Sequence, residues 1–245
     1  MLSTRFDQFK PEEIAPNIHW VGYAEEWAGL HCNPYLIDDG EDVILIEPGS
    51  VPHFSNVARM VSEVVNPARI NYILVSHQDP DLCASIPKFE EFVSPDLQII
   101  THSRAAVLLP HYGIKAPYFN IDANNWQLTL KSGRVLKFIF TPYMHFPGSF
   151  MTYDTKSKIL FSGDVFGGLS FDWSLYANEY YPEAMKAFHE NYMPSRTILE
   201  NAMNKLRELD ISMIAPQHGS IINKDIDKYI DILANLECGD YLLVD

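Results

Sequence analysis

The sequence is short of cysteine, of positive charge and of long apolar runs, and each shortage excludes a class of protein. Three cysteines, Cys32, Cys83 and Cys238, occur in 245 residues. Widely spaced and odd in number, they make neither a disulfide framework nor a Cys-x-x-Cys metal knuckle. Eighteen Lys+Arg stand against 32 Asp+Glu, a formal net charge of −14. A field of that sign repels nucleic acid and acidic membrane, so neither is an expected partner. No apolar run reaches the roughly 20 residues that cross a bilayer. The first seven residues lack the basic-then-apolar pattern of a secretory signal, so a cytoplasmic location is expected. What is present is 47% apolar and 20% charged residues, enough apolar content for a packed core and too much for global disorder.

Residues 1–17 are polar, carry two prolines and read as an N-terminal arm, leaving 18–245 as a single domain. Short β-branched runs follow at His19–Gly22, Cys32–Ile37, Val43–Glu47 and Tyr72–Ser76, with Asp38–Asp42 as a hairpin turn. Phe54, Val57, Met60, Val61, Val64 and Val65 have helical spacing. Gln98–Thr101 reads as a strand and Arg104–Tyr112 as a helix. Two hairpins come next, Trp126–Leu130 with Val135–Phe140 and Ser149–Tyr153 with Ile159–Ser162. The last third is helical at Glu183–Tyr192, Arg196–Leu209 and Asp225–Leu236, interrupted by a strand at Ser212–Ala215. This order predicts an α+β fold, two mixed sheets sandwiched between helices.

The sharpest chemical feature is Ser76-His77-Gln78-Asp79-Pro80-Asp81-Leu82, directly after an apolar strand. In extended backbone, alternate residues share a face, so His77, Asp79 and Asp81 would converge. Two carboxylates aimed together repel unless a proton or cation lies between them, and a divalent metal is a ready counter-charge. The plain alternative is a solvated turn with Asp81 capping the next helix. Three further apolar strands end in the same way. Phe138–Phe140 leads to His145, Ile159–Phe161 to Asp164, and Met213–Ala215 to His218. Open sheets carry functional groups at such strand ends.

His77-x-Asp79-x-Asp81, a later His145, Asp164 in Ser-Gly-Asp and His218 in Gln-His-Gly resemble the metallo-β-lactamase superfamily over about residues 18–220. The resemblance implies a four-layer αββα sandwich. The superfamily's zinc hydrolases look like His-x-His-x-Asp-His, whereas here Asp79 replaces the second His and Leu82 the last. That variant is similar to the flavodiiron family, whose pattern is His-x-Glu-x-Asp. By that resemblance one iron takes His77, Asp79 and His145, the other takes Asp81 and His218, and Asp164 bridges them beside a solvent-derived oxo or hydroxo group. Replacing imidazole by carboxylate favours Fe or Mn over Zn. Leu82 leaves the second metal an open, apolar-flanked position suited to O2.

Flavodiiron enzymes add a flavodoxin domain. No phosphate-binding loop occurs in this sequence, so no bound flavin is expected and the stand-alone, oxygen-binding branch is the better match. The expectation is a di-iron protein that binds O2, or NO, as sensor, scavenger or slow reductase. Its expected partners are an external rubredoxin- or flavodoxin-like electron donor or a signalling protein, and a homodimer is expected. The alternative is a di-zinc hydrolase using metal-bound hydroxide. His31, in a segment that resembles the superfamily's early hairpin, and Tyr143 and Tyr180 are candidate walls or hydrogen-bond donors of the O2 pocket, along with Leu82. Cys83 reads as a small apolar residue, and Glu25–Glu26 as solvated charge.

Overall fold

The computed structural model describes residues 6–23, 30–170 and 173–239; Glu25–Glu26 lie outside them. The first sheet has seven strands hydrogen-bonded in chain order. These are β1 (Glu12–Ala15), β2 (Ile18–Trp20), β3 (Tyr35–Asp38), β4 (Val43–Ile46), β5 (Ile70–Leu74), β6 (Gln98–Thr101) and β7 (Tyr118–Asn120). Pairing is antiparallel from β1 to β4 and parallel from β4 to β7. The β3–β4 turn closes as the spacing predicts, with Gly40 at φ +84° and Asp39 N–H donating to Asp42 O at 2.9 Å. The expected arm is corrected at β1, which pairs Glu12 with Trp20 and Glu13 with His19. Pro11 and Pro16 flank this strand at a sheet edge, where a missing N–H is tolerated, and its two glutamates are exposed.

Helix α1 (Phe54–Val64) crosses from β4 to β5 with Val57, Met60 and Val61 buried, as its spacing requires. Two single-turn helices, α2 (Pro80–Cys83) and α3 (Ile86–Phe89), follow β5. The helix expected over Arg104–Tyr112 is broken into α4 (Ser103–Ala106) and a 3₁₀ turn at Leu109–Tyr112. Pro110 explains the break, because it lacks the N–H a continuous helix needs.

The second sheet comprises β8 (Gln127–Thr129), β9 (Val135–Phe140), β10 (Phe150–Asp154), β11 (Ile159–Phe161) and β12 (Met213–Ala215), ordered β12-β11-β10-β9-β8. Its strands alternate between two cores. Phe150, Ile159, Phe161 and Ala215 pack with the residues of the first sheet. Met151, Leu160 and Ile214 pack instead under the helices α5 (Tyr181–Tyr192), α6 (Arg196–Leu206) and α7 (Ile226–Ala234). Period-two alternation with both faces buried gives the helix–sheet–sheet–helix sandwich that the sequence predicts. The ends of β5, β9, β11 and β12 carry His77, His145, Asp164 and His218, so four separated chain segments meet at one edge of the paired sheets.

Candidate metal centre

After β5 the chain bends at Ser76 and His77, is extended at Asp79 (φ −66°, ψ 145°) and turns into α2 at Pro80. The expected convergence therefore holds for His77 and Asp79 only. Asp81 sits in the first turn of α2 and points to a different partner, His218. The capping alternative fails too, because Asp79 occupies the N-cap and makes no side-chain cap bond. The Ser162-Gly163-Asp164 turn packs tightly against this segment. Gly163 has φ +59°, and a Cβ there would lie 2.7 Å from Ser76 Oγ.

Asp164 divides its two oxygens between two groups of donors. Its Oδ2 lies 3.4 Å from His77 Nε2 and 3.1 Å from His145 Nε2, while Asp79 Oδ2 lies 3.7 and 3.2 Å from the same two nitrogens. Its Oδ1 lies 3.4 Å from His218 Nε2, which is 3.2 Å from Asp81 Oδ2. All six sequence-selected side chains are thus brought together as two donor groups sharing one carboxylate.

The carboxylates and imidazoles of this cluster each favour the other's charged form. Burial alone would raise Asp164, but His77 and His218 outweigh it and hold the carboxyl well below the usual range. Hydrogen bonds to Asp164, then to Asp79, push His145 up to about 10. Burial would lower His218 and His77, yet Asp164 raises both, helped by Asp81 at His218 and by Asp79 at His77.

The residues fit metal ions better than they fit one another. His77 Nε2 and Asp164 Oδ1 are buried and make no hydrogen bond, a costly state for polar atoms unless an ion completes them. His218 Nδ1 lies 3.1 Å from the His31 carbonyl oxygen and donates to it, so Nε2 of the neutral ring keeps its lone pair for a ligand. His77 Nδ1 is held by Ser76 Oγ at 3.1 Å. The donors are imidazole and carboxylate, a set suited to iron, manganese or zinc.

The expected surrounding residues fare differently. His31 contributes its carbonyl to His218, while its Nε2 bonds Ser170 O at 2.8 Å and its ring stacks on Trp173 at 4.7 Å. Leu82 is fully buried beside Asp81. Tyr143 and Tyr180 are largely exposed; Tyr180, with Trp173, Tyr181 and Ser220, lines a cavity of about 110 Å³. Cys83 is buried and donates to Asp79 O at 3.1 Å, and burial pushes its thiol up, in keeping with an inert role.

Sequence reasoning passed over two supporting groups. Glu47 is buried at the end of β4 and accepts from Ser76 N–H at 3.3 Å; with its amide nitrogen turned inward, Gln217 donates to Glu47 Oε2 at 2.9 Å. Burial raises Glu47 to about 7. A carboxylate closing the apolar run Val43–Ile46 was the available signal. His189 of α5 is fully buried, accepts from Phe166 N–H at 3.0 Å and donates from Nδ1 to Met185 O at 2.7 Å. It clamps the turn two residues after Asp164, and nothing in its local sequence marks it.

A family model described as ODP family beta lactamase matches residues 30–219. The chain belongs to that family. This ODP-family chain is similar to the structure of the peroxy diiron species of chemotaxis sensor ODP, at 28% identity and a TM-score of 0.80, covering 95% of this chain and 97% of that one. The apo state of the same sensor from T. denticola matches with a TM-score of 0.81. An uncharacterized protein of Methanocaldococcus jannaschii is 31% identical over 238 residues, 89% of this chain and 59% of that protein. A nitric oxide reductase of Moorella thermoacetica is 27% identical, over 92% of this chain and 61% of its own length. The chain thus spans about three fifths of these curated relatives. Among the described residues, no helix is long and apolar enough to cross a membrane.

Proposed function

We propose that this chain holds two iron ions in the Asp164-centred site and binds O2 there, acting as an oxygen sensor or scavenger with at most slow reductase activity. The observation that carries the reading is the division of Asp164, with Oδ2 facing His77 and His145 and Oδ1 facing His218. His77, Asp79 and His145 would hold one ion, and Asp81 and His218 the other. Bound ferrous ions would supply the electrons that a small oxidant such as O2 takes up. The protein's share is positional. Ser76 and the His31 carbonyl fix two imidazoles by their Nδ1 atoms, Glu47 and Gln217 brace the backbone at Ser76, and burial keeps bulk water from His77 and Asp164. Leu82 adds an apolar wall in place of a nitrogen donor.

The likeness to a chemotaxis sensor over nearly the whole of both chains supports sensing, with a signalling protein as consumer. The likeness to a nitric oxide reductase supports NO as a second ligand, and an external rubredoxin- or flavodoxin-like electron donor belongs to the same proposal. A homodimer without bound flavin is part of the same proposal. A di-zinc hydrolase is the poorer reading, because Asp79 makes the first position more anionic and Leu82 removes a nitrogen from the second.

Anaerobic loading with ferrous ion should bind two irons per chain, and admitting air should produce a visible charge-transfer band. Full iron occupancy with no spectral change sinks the O2 reading; two zinc per chain with esterase activity establishes the hydrolase. With a reduced donor, O2 consumption well below about one turnover per second favours sensing over reduction.

A further inference from the structure

The two donor groups are unequal. The first has three side chains of its own, His77, Asp79 and His145, while the second has Asp81 and His218 and depends on Asp164 for a third. Leu82 stands where a further nitrogen would have come from. Yet the second group has a neighbour that the first lacks. Cys32 is buried, with Sγ 3.8 Å from His218 Nδ1. One donor atom each from Cys32, Asp81 and His218 lie within 4.8 Å of one another, the same closeness found for His77, Asp79 and His145.

The backbone fixes this neighbourhood. Cys32 and His218 form an antiparallel bridge, Asn33 N–H donates to Gln217 O at 2.8 Å, and Tyr23 N–H donates to Cys32 O at 3.1 Å. The Asn33 amide reaches across to Pro216 O at 3.0 Å and Gly219 O at 2.9 Å. Asp164 Oδ1, buried and without a hydrogen bond, faces His218 on the metal side. Cys32 Sγ therefore flanks the second position from the Nδ1 side of the His218 ring, and the uncompleted Asp164 oxygen faces it from the Nε2 side.

We infer that Cys32 is a thiolate donor to the second metal position, making it a Cys/Asp/His site beside an all-nitrogen-and-oxygen first site. The inference rests on the two-metal reading above. On binding, the Cys32 S–H bond breaks, an S–metal bond forms and the proton leaves to solvent, with no change of oxidation state. A sulfur donor softens the second position relative to the first, so borderline-soft divalent ions such as Co²⁺ or Zn²⁺ should prefer it.

Cobalt separates the possibilities, because thiolate ligation gives Co²⁺ a near-ultraviolet charge-transfer band that imidazole and carboxylate do not. The full chain, stripped of metal and titrated anaerobically with CoCl2, should bind two Co²⁺, and the band should follow the filling of one of them. Cys32→Ser should abolish the band and weaken that Co²⁺ at least tenfold, leaving the other unchanged. A Cys83→Ser/Cys238→Ser variant should keep the band, excluding the other thiols. Two bound Co²⁺ without the band overturn the inference while the two-metal reading stands: Cys32 is then only a hydrogen-bonding neighbour of His218 Nδ1. Fewer than two Co²⁺ in the unaltered chain overturn both.

Discussion

Asp154 and Asp164 lie ten residues apart, at the turn and just past the end of the β10–β11 hairpin, and both are buried. Asp154 is saturated by its surroundings. Arg134 Nε donates to it at 3.0 Å, a second Arg134 nitrogen and the Ser157 hydroxyl also donate, and Lys156 N–H adds a bond at 3.1 Å. Asp164 meets only imidazoles, and its Oδ1 has no hydrogen bond. One buried carboxylate is finished by the fold; the other is left for something the fold does not contain. That contrast, rather than burial itself, separates the structural acid from the one proposed to hold metal.

The sharpest way to break the contrast is to remove the charge at each site. Asp164→Asn should lower bound iron from two per chain to at most one by metal analysis, while the metal-free protein keeps its fold. Retention of both irons would erase the distinction. At Asp154 the effect should fall on stability instead. Arg134→Met strands a buried carboxylate and should cost about 3–5 kcal/mol in urea unfolding, and Arg134→Met combined with Asp154→Asn should recover much of it.

Smaller effects sharpen the same comparison at one remove. His189→Ala leaves Phe166 N–H without its acceptor and should destabilise the protein by about 1–3 kcal/mol. It should also weaken iron binding, since the freed turn carries Asp164; His189→Gln should do less of both. The pH dependence of the metal-free protein gives the mildest signal. His145 titrates near 10 when folded, against 6.5 as a free side chain, because of Asp164 and Asp79. A raised pKa contributes stability fully present below pH 6.5 and lost as pH climbs toward 10. The melting temperature measured in chelator should therefore fall across that window. Bound metal should abolish the trend, because ligation replaces the proton.

Much of this was readable from one chain. The strands leading to His77, His145, Asp164 and His218 are apolar runs, three of them followed within two residues by Gly or Pro, and the hairpins around Gly40 and Gly133 carry turn residues at the required places. Helices α1 and α6 appear through their spacing, though α6 ends at Leu206 rather than Leu209. Strand β1 was hidden because it is four residues long between two prolines and half exposed. The break near Pro110 was hidden because Leu108 and Leu109 continue an apolar pattern that the missing N–H overrules.

The sequence by itself determined which residue types stand at four strand ends, and through them the fold class and the donor chemistry. Those are local facts, set by periodicity, turn residues and side-chain type. The tertiary structure alone decided how the donors are shared out. Asp81 leaves its neighbour Asp79 for His218, Cys32 arrives beside His218 from 186 positions away, and His189 closes the turn behind Asp164. Such pairings depend on how sheets and helices pack across long loops, and no local pattern encodes a distance between residues so far apart in the chain.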